Sequence, residues 1–266
     1  MSPQLMAFDL DGTLVFDQKI SAESVEAIHE WQAAGNLAVC STGKSIAATI
    51  HALQGTGLRF DYYVLYTGGA VTDADFRVLT SHTIPNVVVR EIVETLTQEQ
   101  GIAVYGTTLE SGHDAHFPST TGSKSSSILA HFAPMAVEDI PHHEFVGIPL
   151  FIEGNEERME RTTSWIRERF QGQVDCHRNQ DFLDVVPPSC TKGTGLAWLD
   201  EAYLGGRYET YSIGDSWNDL AMHAWAQHSA SFPYSPLEVQ DATDTVVATA
   251  AEYIRSVLKG STIASS

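Results

Sequence analysis

Short apolar runs, each too brief for a helix, recur at both ends of this chain and alternate with stretches of helical pattern. Residues 5–8 (LMAF) read as a first buried strand. Ser21 then caps a helix through residue 34, with Glu23 in its first turn and Gly35 as its stop. Residues 37–40 give a strand, 45–53 a helix and 62–66 another strand. The same rhythm returns late in the chain, with helices at 193–204, 218–226 and 250–258 and strands at 208–213 and 244–248. Strands that are apolar throughout, joined by helices, demand a parallel sheet covered on its faces, hence an α/β fold.

The middle breaks the rhythm. Between residues 84 and 186, helices are expected at 86–99 and 156–170, and strands at 102–105, 146–152, 174–177 and 182–186. The polar stretch 110–127 reads as a long loop. The expected organisation is therefore a discontinuous α/β domain, residues 1–83 and 187–266, with an α+β domain of residues 84–186 inserted into it.

Composition limits what such a chain could serve. Its 266 residues carry 15 Lys and Arg against 34 Asp and Glu, a formal net charge of −19. That balance argues against nucleic acid and anionic membranes as partners, since both would be repelled. An anionic substrate would need a local reversal of sign. Three cysteines without CxxC spacing speak against a disulfide framework or a zinc site. The N-terminus has no basic region before its first acidic residues, and no run approaches the roughly 18 apolar residues of a membrane span. A cytoplasmic protein with no obligate protein partner is expected.

Four clusters carry chemistry. In FDLDGT, Asp9 and Asp11 follow the first strand, at the end of a parallel sheet where ligands bind. Alone, the pair is better read as a solvated turn; a hard cation such as Mg2+ would explain it otherwise, relieving the repulsion and supplying the missing positive charge. In CSTGKS, Thr42 could bond a phosphoryl oxygen while Gly43 lets the backbone approach. In CTKG, Lys192 at a helix start opposes the macrodipole, so helix stability is not its reason for being there. In GDSWND, Asp215, Asn218 and Asp219 gather around a turn after another strand.

In this order, DxDGT, STG, KG and GDxxND resemble the four motifs of the haloacid dehalogenase (HAD) superfamily of phosphotransferases. The insert, TGGA at residues 67–70 and DFLDVVPPSCTKG at 181–193 resemble its Cof-like branch with a type IIB cap. The resemblance implies a Rossmann-like three-layer core with a parallel sheet, plus an α+β cap. It implies a magnesium-dependent phosphatase acting on a small phosphorylated metabolite, a sugar phosphate above all, through an aspartyl-phosphate. Asp9 would be nucleophile and metal ligand, and Asp11 the acid and base. The metal set would be Asp9, Asp11 (through its carbonyl), Asp215 and Asp219. Thr42 and Lys192 would orient and neutralise the transferring group, with Gly43, Lys44 and Asn218 at the substrate phosphate. A phosphomutase or a non-catalytic phosphometabolite-binding protein are the alternatives. Three departures stand out: Lys44 replaces the branch's usual Arg or Asn, Ser216 and Trp217 occupy the fourth motif, and SASFPYSP (229–236) lacks the usual Gly-Asn-Ala. Within the insert, His113, His116, Lys124 and Arg178 could face substrate, while the histidines of HDAH and at 142–143 are better read as solvated than as metal ligands.

Overall fold

The computed structural model describes residues 3–110, 114–118, 132–152, 154–179 and 181–260. The chain begins with β1 (Gln4–Phe8), a short hairpin of β2 (Val15–Phe16) and β3 (Lys19–Ile20), then α1 (Ala22–Ala33) and β4 (Leu37–Ser41). It continues through α2 (Ile46–Leu53), β5 (Tyr62–Leu65), β6 (Ala70–Asp73) and β7 (Val78–Ser81). The middle holds α3 (Asn86–Leu96), β8 (Ile102–Thr108), β9 (Ala115–Phe117), β10 (Ala133–Pro134), β11 (Phe145–Ile152), α4 (Glu156–Arg169), β12 (Asp175–Asn179) and β13 (Phe182–Val186). Last come α5 (Lys192–Ala197), β14 (Glu209–Ile213), α6 (Leu220–Trp225), β15 (His228–Ser231), α7 (Leu237–Asp241), β16 (Thr245–Val246) and α8 (Ala250–Leu258). Two compact units result: one from the described residues of Met1–Thr42, Ile50–Thr80 and Thr191–Ser266, the other from those of Gly43–Thr49 and Ser81–Cys190.

The first unit is built on one sheet in the order β16-β15-β14-β1-β4-β5-β6-β7. Its strands run parallel from β16 to β5, and β6 then joins β5 antiparallel. The reversal after β5 uses left-handed backbone at Tyr66, Thr67 and Gly68, φ 53, 54 and 92°. Side chains alternate along β1, so Leu5 and Ala7 face one way and Met6 and Phe8 the other. All four are fully buried, which requires helices on both faces. Leu5 and Ala7 cluster with Leu196, Leu199 and Met222 from the segment around α5 and α6. On the other face, Trp31 of α1 packs edge-on against Tyr211, the neighbour of Met6 in the sheet, at 5.9 Å. Each such fully buried side chain contributes roughly 1.5–3 kcal/mol. The three layers hold the C-terminal ends of β1, β4 and β14 at fixed spacing, and there the chemistry-bearing residues lie.

Within the second unit, a sheet of order β10-β9-β8-β11-β13-β12 is antiparallel except for the β9–β10 pair. Val89, Ile92 and Val93 of α3 and Met159 and Ile166 of α4 bury against Val104, Ile148, Leu150 and Val185 of the strands. Asn155 caps α4 by accepting from the Arg158 amide at 2.9 Å. Much of the polar 110–127 stretch falls outside the described residues.

Candidate active site

Asp9 follows β1 directly, and its amide donates to the Ile213 carbonyl of β14 at 3.1 Å, tying two strand ends together. The chain then turns sharply: the amides of Thr13, Leu14 and Val15 all donate to the Leu10 carbonyl. Gly12 makes the turn possible with φ +84°, and a Cβ there would stand 2.6 Å from Asp215 Oδ2. Only glycine lets this backbone approach a carboxylate so closely. Thr13 Oγ1 donates to Asp215 Oδ1 at 3.3 Å, orienting that carboxylate.

Lys192 opens α5, where Thr191 and Thr194 form a reciprocal capping box. Its ammonium is fully buried and donates to Asp9 Oδ1 and to Asp219 Oδ1, each at 2.6 Å. Two glycines permit that placement. A Cβ on Gly193 would lie 2.1 Å from the Ala221 carbonyl, and one on Gly68 1.9 Å from the Thr191 carbonyl. The other oxygen of Asp219 accepts from the amides of Asp215 and Ser216, both at 3.0 Å. Asp219 thus braces the loop that carries Asp215. Asn218 is buried on the same loop.

The electrostatics are lopsided. Burial would pull the Lys192 ammonium down, but the carboxylates of Asp219 and Asp9 overcome it and hold the lysine charged. For Asp9, burial dominates and raises the pKa well above the carboxylate range; Lys192 opposes, while Asp219, Asp215 and Asp11 add to the rise. Burial, then Asp219, pushes Asp215 up to about 6. Among the described residues, one ammonium is set against four carboxylates. Oδ2 of Asp9 is buried without a hydrogen-bond partner, an expensive condition for a charged oxygen. Oxygens of Asp9, Asp215 and Asp219 lie within 4.8 Å of one another. An all-oxygen donor set with excess negative charge and an orphaned oxygen fits a hard divalent cation.

Thr42 is buried just past the end of β4, and its amide donates to the Val64 carbonyl at 2.9 Å while its carbonyl accepts from Thr67 at 3.2 Å. Asp11 is partly exposed, and its side chain is not among the three clustered carboxylates. Asp9, Asp11, Thr42, Lys192, Asp215, Asn218 and Asp219 therefore all belong to the first unit, whereas Gly43 and Lys44 group with the second. There, the Ser45 hydroxyl donates to Asp114. Arg178 forks onto Glu156 at 2.6 and 2.7 Å, and His116 Nδ1 meets the Phe132 carbonyl at 3.2 Å. His113 and Lys124 lie outside the described residues. Sequence reasoning missed the Thr13 hydroxyl on Asp215 and the Thr67 amide on Thr42. Thr13 and Thr67 sit in DGT and TGGA, stretches that the sequence marks only as motif resemblances.

The sequence matches the haloacid dehalogenase-like hydrolase family over residues 6–259. An HMP-PP phosphatase of Yersinia pseudotuberculosis is 27% identical over 226 residues, covering 82% of this chain and 80% of that protein. Among solved structures, a HAD subclass IIB sugar phosphatase superposes with a TM-score of 0.79 at 21% identity, over 96% of this chain and 98% of that one. A haloacid dehalogenase-like hydrolase from B. subtilis gives 0.80 at 20% identity, over 96% and 99%. With its family match spanning nearly the whole length and its strand-end carboxylates gathered around one buried lysine, this chain belongs to the haloacid dehalogenase-like hydrolases and is an enzyme of their phosphatase class.

Proposed function

We propose that the protein hydrolyses the phosphate monoester of a small metabolite, of the sugar-phosphate class, through an aspartyl-phosphate at Asp9, with magnesium bound. The observation that carries this is the buried Asp9, with one oxygen fixed by Lys192 and the other without a partner. In this reading an oxygen of Asp9 attacks phosphorus in line as the bond to the leaving oxygen breaks. Asp11, two residues on and partly exposed, gives the leaving oxygen its proton, then takes one from the water that opens the acyl phosphate. Lys192 keeps Asp9 aimed and offsets charge on the transferring group. Thr42 donates to a phosphoryl oxygen, with Gly43, Lys44 and Asn218 at the same phosphate.

Asp9, Asp215, the Asp11 carbonyl and, through its bracing of the loop, Asp219 would hold the cation. When bound, it would neutralise the carboxylates and draw charge from the phosphoryl oxygens. Residues 84–186 would serve as the cap that selects the leaving group and excludes water. Support comes from the match to the hydrolase family and from relatives named as phosphatases.

A phosphate-release screen over phosphorylated metabolites, with magnesium or with a chelator, tests the reading. Metal-dependent turnover that Asp9→Asn abolishes is expected. An Asp9→Asn variant as active as the parent would overturn it. Transfer of the phosphoryl group to a second hydroxyl without phosphate release would point to a mutase instead.

A further inference from the structure

The segment SFPYSP, where this chain departs from its branch, forms a tightly held turn beside the carboxylates. The Ser235 amide donates to the Phe232 carbonyl at 3.0 Å, and the Phe232 amide donates back to Ser235 Oγ at 3.2 Å. Pro233 fixes the turn's second position. Gln240 Nε2 donates to the Pro233 and Ser235 carbonyls at 3.3 and 2.7 Å, bracing it from α7. At its tip stands Tyr234, whose ring is held at three places. Its hydroxyl donates to the Gly12 carbonyl at 2.7 Å, in the turn that carries Asp11. One face stacks on buried Phe232, centroids 4.9 Å apart and planes 8° from parallel. The ring of Phe16, from the β2–β3 hairpin, meets it edge-on at 6.0 Å and 86°.

Both outer rings remain open to solvent, Tyr234 at 54% and Phe16 at 49% exposure. Burial and the nearby charges of Asp215 and Asp9 also hold the phenol above its usual range, so it stays protonated and keeps its hydrogen bond. Exposed aromatic rings are common; a ring fixed on three sides near the carboxylates of Asp215 and Asp9 is not explained by core packing. Charge repulsion leaves an uncharged surface as what this ledge can offer a ligand. A rigid ring with about half its surface exposed favours a flat partner, because little side-chain freedom remains to be lost on binding.

We propose that Tyr234, with Phe16 at its edge, is a specificity-determining platform on which the leaving group stacks, and that the preferred substrate is a phosphate ester whose leaving group bears a planar ring. The proposal rests on the phosphatase reading above and sets a flat-ringed leaving group in place of its sugar. Stacking of one ring on one aromatic side chain corresponds to roughly five- to hundred-fold in affinity.

The test compares benzyl phosphate with cyclohexylmethyl phosphate, which match in carbon count and differ in flatness. Phosphate release is measured for the wild type, Tyr234→Leu and Tyr234→Phe, each first checked for an unchanged melting transition. The wild type is expected to favour the benzyl ester in kcat/KM by about ten-fold. Tyr234→Leu brings the ratio close to unity. Tyr234→Phe retains it, because the ring remains although the bond to Gly12 is lost. The ratio cancels any effect on Asp11 geometry, which both esters share. A wild type without preference, or a ratio that survives Tyr234→Leu, overturns the platform while leaving the phosphatase intact. A wild type that releases phosphate from no ester at all refutes the phosphatase reading, and the platform falls with it.

Discussion

Lys192→Met tests how the site is held together. The substitution keeps a long side chain and removes the ammonium that bonds both Asp9 and Asp219, each contact at 2.6 Å in a site almost closed to solvent. Breaking one buried ion pair costs about 3–5 kcal/mol, because the remaining charge has lost its partner. Here one lysine serves two carboxylates, so the upper end applies, about 5 kcal/mol. For a chain of this size each kcal/mol moves the melting temperature by about 2–4 °C, giving a fall of roughly 10–20 °C without metal. The abandoned carboxylates can escape the cost by taking up protons, so the loss should shrink as pH falls from neutrality toward about 5. Thermal and urea unfolding with a chelator present provide the measurement. Adding Asp219→Asn to Lys192→Met should recover stability, with a coupling energy of about 2 kcal/mol, since the amide oxygen can still accept from Asp215 and Ser216. A single variant melting within about 3 °C of the parent, together with strict additivity in the double, would refute the bridging role of Lys192.

Two further expectations concern the same pocket. Gly193→Ala puts a methyl group 2.1 Å from the Ala221 carbonyl, forcing α5 and α6 apart; about 2–4 kcal/mol of stability should be lost in urea titrations. A second concerns pH. Asp215 is pushed up to about 6 in the fold, against about 3.9 unfolded. The folded state thus binds this proton more tightly, so metal-free stability should fall as pH rises from about 4 to about 6 and stay reduced above. A divalent cation competes with that proton. The magnesium-induced rise in melting temperature should therefore be larger at about pH 7.5 than at about pH 5, and a pH-independent rise would contradict the assignment.

Much of the first unit was readable because its strands are apolar on both faces and its helices end in ordinary caps. Ser21 does accept from the Ser24 amide, and Thr191 caps the helix that Lys192 opens. β15 gave no such signal. Its sequence, HSAS, is polar on paper, yet Ser229 and Ser231 are buried with their hydroxyls bonded to Asp244 and Thr243. A strand satisfied by side chains distant in sequence cannot be found from local hydrophobicity. The stretch 193–204 shows a different limit. An apolar helical pattern does not reveal that α5 widens into a π-helical turn at Trp198–Tyr203, where Trp198 and Tyr203 stack at 5.9 Å.

At the site, motif words supplied the carboxylates and the lysine, but not their division of labour. GDSWND put Asp215 and Asp219 on equal terms; only the fold shows Asp219 fully engaged by Lys192 and two amides while Asp215 meets Thr13 and Gly12. Tyr234 was invisible for a related reason. Its partner Gly12 lies at the other end of the chain, and a departure from a family pattern does not say what the new residue touches.

In the proposed reaction Asp9 carries the phosphoryl group. Asp11→Asn removes the group assigned both to protonating the leaving oxygen and to activating water. With p-nitrophenyl phosphate, whose leaving oxygen needs no proton, only the second step is blocked and the acyl phosphate should accumulate. Acid-quenched Asp11→Asn enzyme, mixed with this ester and magnesium and then mapped by peptide mass spectrometry, tests this directly. One added phosphoryl group is expected on the peptide containing Asp9, absent when Asp9→Asn is also present. Phosphate release from substrate with Asp9 unmodified at every quench time would contradict it.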